Sequence, residues 1–459
     1  MPKSEQASVQ RYAKHVNPAF VRLLGTFGYG RVFVRAQGCR VWDDDGKEYL
    51  DFLAGFGATS LGHAPKALHD RARAFLEEDM LNVVHVGPQI HAGDLAADLV
   101  ALAGEPFEVA LLSCTGGEAV EAAIKLARAS TRRQRVLYTK GGFHGTGLGS
   151  LSVMGFGRWR DPFEPLVPEC AEVPFGDLPA LERALTDKSE KKVAAFVVEP
   201  IQAEAGVVFP PDGYFAAAQE LCTRHGALLV LDEVQTGLGR TGTMFAFEAM
   251  GFTPDVLVLG KALGGGLVPV SATLATAEVH ERAYGSMDKF DLHGTTYAGN
   301  AFGCRVAREV LRIVAEDDLP ARAAARGERL VRGLRERTQG HPLVKDVRGR
   351  GLLVALELGP TQTGGLLARL VPGLVELVSK KVFGQWLALR LLERGILAQP
   401  ATQQWNVLKL EPPLTVDDED VDRVVAAVGG ILDEYSDLLP LLRDVSERVI
   451  KQGRGGWTF

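Results

Sequence analysis

Two short apolar runs in the middle of the chain carry an acid and a lysine to places where they could act on one molecule. Ala227-Leu228-Leu229-Val230-Leu231 ends in Asp232-Glu233-Val234-Gln235-Thr236-Gly237, and Val256-Leu257-Val258-Leu259-Gly260 delivers Lys261 into Ala262-Leu263-Gly264-Gly265-Gly266. Read as buried parallel strands, both runs end on the side of the sheet where open α/β folds bind ligands, so Asp232 and Lys261 converge there. A third stretch, Ser113-Cys114-Thr115-Gly116-Gly117-Glu118, follows another apolar run and opens a helix that continues through Lys125 and Arg128. Its glycines let backbone amides approach an anion, and the helix amino terminus adds about half a positive charge, which together make a phosphate cradle. Each stretch also has a plainer reading: Thr115 as an ordinary helix cap, Asp232 as a strand-end turn residue, Lys261 as a surface charge. Their joint occurrence favours the chemical one.

The elements around them are those of an α/β fold with a mostly parallel sheet. Strands are expected at 109–112, 135–138, 193–198, 227–231, 256–259 and 270–273, with helices between most of them, as in βαβ units. The first 55 or so residues and the last ~130 read differently, with amphipathic helices and a hairpin over Arg40 to Leu50. The expected division is therefore 1–55 joining a smaller α+β domain, 56–330 as the large domain, and 331–459 completing the small one. Asp43-Asp44-Asp45-Gly46 lacks the spaced ligands of a calcium loop and reads as the hairpin turn.

Composition narrows the function classes. At 459 residues and 46% hydrophobic content, the chain can bury one large core and a smaller one. A net charge of −6 offers no concentrated basic surface, so nucleic acid is not an expected partner. Cys39, Cys114, Cys170, Cys222 and Cys304 are scattered and without a CxxC pair, which points away from disulfides and metal and toward a reducing cytoplasm. No signal-peptide core follows Met1, and no uncharged apolar stretch reaches the ~18 residues of a membrane helix.

Several motifs in order make the chain resemble the class III aminotransferases, the fold type I pyridoxal phosphate enzymes that include ornithine, acetylornithine and putrescine aminotransferases. They are Val41-Trp42-Asp43-Asp44-Asp45-Gly46, Thr115-Gly116-Gly117-Glu118-Ala119, Phe143-His144-Gly145, Val198-Glu199-Pro200-Ile201-Gln202, the Asp232 and Lys261 segments, Gly294-Thr295-Thr296-Tyr297-Ala298-Gly299-Asn300 and Val347-Arg348-Gly349-Arg350-Gly351. The likeness spans about residues 25 to 435. It implies a fold type I architecture and pyridoxal phosphate joined to Lys261 as a Schiff base. The displaced lysine amine would then shuttle a proton between the substrate and cofactor carbons, which suits a side chain whose pKa falls readily on desolvation. Asp232 is implied to pair with the pyridine nitrogen and keep it protonated, making the ring an electron sink. Thr115, Gly116 and Gly117 would take the phosphate, Phe143 and Val234 the two ring faces, and Gln235 the phenolic oxygen. His144 and Glu199 fall in cofactor-contacting motifs, His144 being read as a packed, satisfied histidine. Thr296 matches the threonine that reaches the neighbouring subunit's cofactor, which implies a homodimer.

Departures from the pattern bear on the substrate. Where ornithine-type members carry an arginine after Phe-His-Gly, this chain has Thr146, and where another arginine precedes Leu-x-Pro-Pro-Leu it has Lys409. Glu204 matches the gate glutamate that pairs with that second arginine. Arginine holds a carboxylate by two parallel hydrogen bonds and lysine does not, so a donor without an α-carboxylate at the reacting carbon is expected. The expected activity is ping-pong transfer from a diamine or ω-amine such as putrescine to pyruvate or 2-oxoglutarate, with Lys409 as the cation for the keto acid. The alternatives are ornithine or acetylornithine δ-transamination, a longer acyl amine, or a decarboxylase or aminomutase on the same scaffold; a non-catalytic cofactor-binding module is disfavoured. Val120 replaces an asparagine common beside the cradle without touching the backbone amides. The apolar segment 366–392 reads as a packing helix, or as a wall for a long amine. The Gly-rich tail 448–459 reads as frayed, or as docking its aromatics on a partner.

Overall fold

The structure is a computed structural model that describes residues 3–26, 30–83, 85–188, 191–359, 372–435, 441, 443 and 444, with side chains described except at 3–6, 26 and 372–382. Two compact units are present. One comprises Met1–Ala54, Gly62–Ala64 and Arg326–Phe459, and the other Gly55–Leu61 and Pro65–Ala325.

In the chain-end unit the helices Lys3–His15 and Pro18–Thr26 are followed by β1 (Phe33–Gln37), β2 (Arg40–Asp43) and β3 (Glu48–Asp51), an antiparallel meander. Its first acid serves the β2–β3 turn: Asp43 accepts from the amides of Asp45 and Lys47 and from the Tyr49 hydroxyl, while Gly46 takes the positive φ of 79° that the turn requires. The Asp43–Gly46 run is therefore a hairpin turn, as its sequence suggests.

The middle unit is built on seven strands: β4 (Val109–Ser113), β5 (Arg135–Thr139), β6 (Cys170–Val173), β7 (Val193–Val198), β8 (Leu228–Asp232), β9 (Val256–Leu259) and β10 (Ser271–Ala275). Their order is β4-β10-β9-β8-β7-β5-β6, parallel except for β10, which runs antiparallel to both neighbours. β7 is buried at every position, as a strand covered on both faces must be, and its unbroken Val-Ala-Ala-Phe-Val-Val run reflects this. Side chains alternate between two cores. Phe196, Val198, Leu229, Leu231, Leu257 and Leu259 point to one, and Ala195, Val197, Val230, Val256 and Val258 to the other. Val120 is fully buried in the second core, which accounts for an apolar residue beside the cradle.

The chain returns through β11 (Val344–Arg350), β12 (Leu353–Leu358), β13 (Ile396–Leu397), β14 (Gln399–Pro400) and β15 (Val407–Leu410). β13 pairs in parallel with β3, Ile396 opposite Leu50, so the two ends of the chain share one sheet. β11, β12, β15 and β14 form a second, antiparallel sheet. The helix Pro372–Glu393 covers part of the apolar 366–392 segment. Its Phe383 and Trp386 are buried, Trp386 packing edge-on against Tyr435 and donating to Asp444 at 2.8 Å, which is the packing role. Residues 366–371, the side chains of Leu374, Val375, Leu377, Val378 and Val382, and the tail 448–459 lie outside the described residues. Among the described residues no helix is long and apolar enough to cross a membrane, and no cluster could hold a metal ion.

Gly327, in the helix Leu319–Thr338, lies against the backbone of Gly351 so closely that an added methyl would collide with its carbonyl. Backbone cannot swing aside as a side chain can. Gly327→Ala should destabilise the chain-end unit by about 1–3 kcal/mol, read as a lower unfolding midpoint, whereas an unchanged midpoint would show that helix and turn separate freely.

Candidate active site

The five parallel strands β4, β5, β7, β8 and β9 release the candidate residues at their carboxyl ends: Thr115 to Gly117, Phe143 and His144, Glu199 to Glu204, Asp232 to Gln235, and Lys261. A cleft of about 420 Å³ opens there, lined by Ala58, Cys114, Thr115, Gly116, Lys261 and the stretch Gly266 to Val270.

After β4, the helix Gly116–Thr131 begins with a capping box. Thr115 Oγ1 accepts from the Glu118 amide at 3.3 Å, and Glu118 Oε2 accepts from the amides of Cys114 and Thr115 at 2.9 and 3.1 Å. Those three donors are thus committed. Gly116 and Gly117 follow at the first two helical positions, whose amides have no intrahelical acceptor and suit an anion. Gly116 has a second reason to lack a side chain, since a Cβ there would stand 2.7 Å from Val234 Cγ1. The cradle, Val234 and Gly260 are packed against one another.

Lys261 begins a single 3-10 turn, Lys261–Gly264, with φ of 41°. A left-handed backbone on a residue with a side chain costs about 1–2 kcal/mol, and such strain persists where the surroundings hold it, often at functional sites. Its Nζ donates to Gln235 Oε1, and Gln235 Nε2 donates to Glu204 Oε1 at 3.2 Å. Lysine, amide and carboxylate therefore form one chain of hydrogen bonds.

Asp232 is buried, as is His144. Its Oδ1 accepts from the Val234 amide at 3.0 Å, and its Oδ2 lies 2.7 Å from His144 Nδ1. His144 is therefore more than a packed histidine. One nitrogen is bound to the acid, and the other, Nε2, is buried without a partner among the described residues, so it is not fully satisfied. Burial disfavours the charged imidazole, yet the hydrogen bond and charge of Asp232 outweigh it and lift the His144 pKa above the usual histidine range. Glu199 accepts from the amides of Phe143 at 2.8 Å and Ala203 at 3.2 Å, holding the turn that presents Phe143. The Phe143 ring is met edge-on by Trp159, centroids 6.0 Å apart.

Other expected site residues are placed differently. Thr296 is exposed on the segment before the helix Ala301–Glu316 and does not line the cleft, and Thr146 is likewise exposed. Lys409 belongs to β15 of the chain-end unit, where it is buried with its Nζ 3.1 Å from Glu411 Oε2. Sequence reasoning missed the lining by Cys114 and 266–270, although Cys114 adjoins Thr115 and the triple glycine 264–266 marks the turn that brings 266–270 back.

Burial raises Glu199 to about 7, partly offset by His144 and the two amides, and raises the neighbouring Glu233 to about 7 as well. The unfolded carboxyl, near 4.5, loses its proton first, so between pH 4.5 and 7 the folded chain binds more protons and its stability falls as pH rises. A shift of that size is worth on the order of 3 kcal/mol. Denaturant titrations of cofactor-free protein should show this decline, and Glu199→Gln should reduce its slope by about half, Glu233 supplying the rest. An undiminished slope would mean that Glu199 ionises normally.

Comparison with known proteins agrees with this site. Residues 28–432 match the family model for class III aminotransferases. The aminotransferase PigE of Serratia sp. (strain ATCC 39006) is 34% identical over 466 residues, covering 95% of this chain and 54% of that protein, so the chain spans about half the length of this relative. Among solved structures, the ornithine aminotransferase of Toxoplasma gondii ME49 is 32% identical with a TM-score of 0.78, covering 88% of this chain and 92% of its own. An amine transaminase from an uncultivated Pseudomonas species, solved in its PLP-bound form, is 28% identical with a TM-score of 0.78, covering 88% and 95%. With the cradle, the strand-end acid and the strained lysine already in place, these matches make the chain a member of the class III aminotransferases, a pyridoxal phosphate-dependent family.

Proposed function

We propose that the chain moves the amino group of a primary amine lacking an α-carboxylate at the reacting carbon, a diamine or ω-amine such as putrescine, to pyruvate or 2-oxoglutarate in two alternating half-reactions. The observation that carries the catalytic part is the meeting of a glycine-lined helix start, a buried acid and a strained lysine at the ends of β4, β8 and β9. These residues fit the cofactor: Lys261, Thr115 and Gly116 line one cleft, and the helix start that Gly116 and Gly117 form has amides without an intrahelical acceptor. Thr115, Gly116 and Gly117 would hold the phosphate, Asp232 the ring nitrogen, Phe143 and Val234 the ring faces, and Gln235 the phenolic oxygen. When bound, pyridoxal phosphate supplies an electron sink for charge developing at the substrate carbon.

Lys261 Nζ is the covalent attachment point and the group that moves the proton at the reacting carbon. Asp232 is the acid that would keep a proton on the nitrogen it faces, and His144, lying 2.7 Å from Oδ2, holds it in position. Glu199 holds Phe143 in place through its amide. Thr296 is assigned to the partner's cofactor in a homodimer; the exposed Met287, Phe290 and Leu292 on the same segment supply an apolar face for a twofold contact. Cytoplasmic residence belongs to the same proposal, supported by the five free cysteines.

The donor class is argued from what is not arginine. Thr146 cannot grip a carboxylate by charge, and Lys409 shares its charge with Glu411. Lys409 remains the candidate cation for the keto acid, with a weaker hold than an arginine fork. A second reading, δ-transamination of ornithine or acetylornithine, is favoured by the likeness to ornithine aminotransferases. A donor panel decides between them. Enzyme alone is mixed with putrescine, cadaverine, ornithine, acetylornithine, β-alanine or a long-chain primary amine, and bleaching of the bound cofactor is followed. Putrescine and other ω-amines should exceed ornithine by roughly ten- to a hundredfold, and a preference for ornithine would establish the second reading. Lys409→Ala should raise KM for the keto acid about tenfold; an unchanged KM withdraws its role.

A further inference from the structure

The segment that carries Thr296 is fastened to the helix that forms the phosphate cradle of its own subunit. Lys125, in the third turn of the helix Gly116–Thr131, donates from Nζ to the Leu292 carbonyl at 2.8 Å and lies 3.2 Å from His293 Nδ1. Cys114, which lines the cleft immediately before the cradle, shares a side-chain hydrogen bond with Thr295. Beyond Thr296, Asn300 caps the following helix through the Gly303 amide at 2.7 Å and bonds back to the Tyr297 carbonyl at 2.8 Å. Thr296 and Tyr297 are exposed between these fastenings, while Met287 is 92% and Phe290 70% exposed just before them.

We propose that Lys125 is a positioning residue that couples the two sites of the dimer: filling one subunit's cradle fixes the segment 291–296, and so presents Thr296 to the partner. The proposal rests on the shared-site reading of Thr296 given above. Its physical basis is that the ties start from the residue before the cradle helix and from that helix's third turn. Cys114 precedes the cradle, Lys125 leaves the same helix three turns on, and a rigid helix carries a displacement at its start to both. A lysine amine that donates to a backbone carbonyl fixes main chain rather than a side-chain rotamer, so the position of Thr296, four residues after Leu292, follows from it. Lys125 also sets the state of its neighbour: with burial, its charge lowers the His293 pKa, which keeps Nδ1 an acceptor for Nζ. By linkage, a cofactor that stabilises the segment tightens the dimer, and dimerisation tightens the cofactor by the same factor.

The test uses the full chain, prepared without cofactor and then titrated with pyridoxal phosphate. Dimer dissociation is followed by sedimentation over a dilution series, and cofactor affinity by absorbance. In the unmodified protein, saturating cofactor should tighten the dimer at least about fivefold, the lower end of ordinary coupling. Lys125→Met should reduce that factor to near one, with the monomer's far-ultraviolet dichroism unchanged, and Lys125→Arg, which can still donate to the Leu292 carbonyl, should restore most of it. Thr296→Ala separates the two layers. If it leaves cofactor affinity unchanged, the shared site is wrong and this inference falls with it. If it weakens cofactor binding while Lys125→Met leaves the coupling intact, the shared site stands and only the role of Lys125 is overturned.

Discussion

The hydrogen-bonded register between β8 and β9 is the constraint on which the site depends. Asp232 stands opposite Val258, and the Glu233 amide bonds to the Val258 carbonyl at 2.9 Å, so the acid ends its strand opposite a residue three positions before Lys261, which follows the neighbouring strand. Because side chains alternate along a strand, a slip of one residue would turn Asp232 into the opposite core and carry every aliphatic residue of β8 with it. The leucines and valines that fill two separate cores therefore hold the acid in place as well as the sheet. Backbone closeness does the rest: Gly116, Gly260 and Val234 come together because two of the three have no side chain.

On that frame the site assembles buried charge that isolated residues would not keep. Asp232, His144 and Glu199 are all withdrawn from water, and the charge of Asp232 acts on the protonation of both His144 and Glu199. Glu199, although it accepts from two backbone amides and feels the charge of His144, is pushed toward neutrality by its burial. Its two amide contacts make it a scaffold for the turn that presents Phe143. The left-handed turn at Lys261 belongs to the same economy of position, since the turn that strains it also delivers its amine to Gln235.

Much of this was legible in the sequence because the signals are local. Uninterrupted apolar runs gave β4, β5, β7, β8 and β9 to within a residue, and Thr115 could be read as the cap of the helix that follows, though the reciprocal contact from Glu118 came only with the structure. β6 was missed because Cys-Ala-Glu-Val carries no such run, being an edge strand with one fully buried side chain. The antiparallel course of β10 was not legible either, since strand direction depends on where the chain returns. His144 was underestimated for a related reason: its partner is 88 positions away, and no local pattern encodes that contact. Lys409 shows the converse, because the glutamate that shares its charge is only two residues on and was visible as Lys409-Leu410-Glu411, yet only the fold places both out of water.

The claim beneath all of these is that Lys261 carries the cofactor. Reducing the cofactor-loaded protein with borohydride, digesting it and mapping the peptides by mass tests it most directly. The pyridoxyl mass should appear on Lys261 alone; a loaded, reduced protein in which Lys261 is unmodified and another lysine carries the label would contradict the assignment.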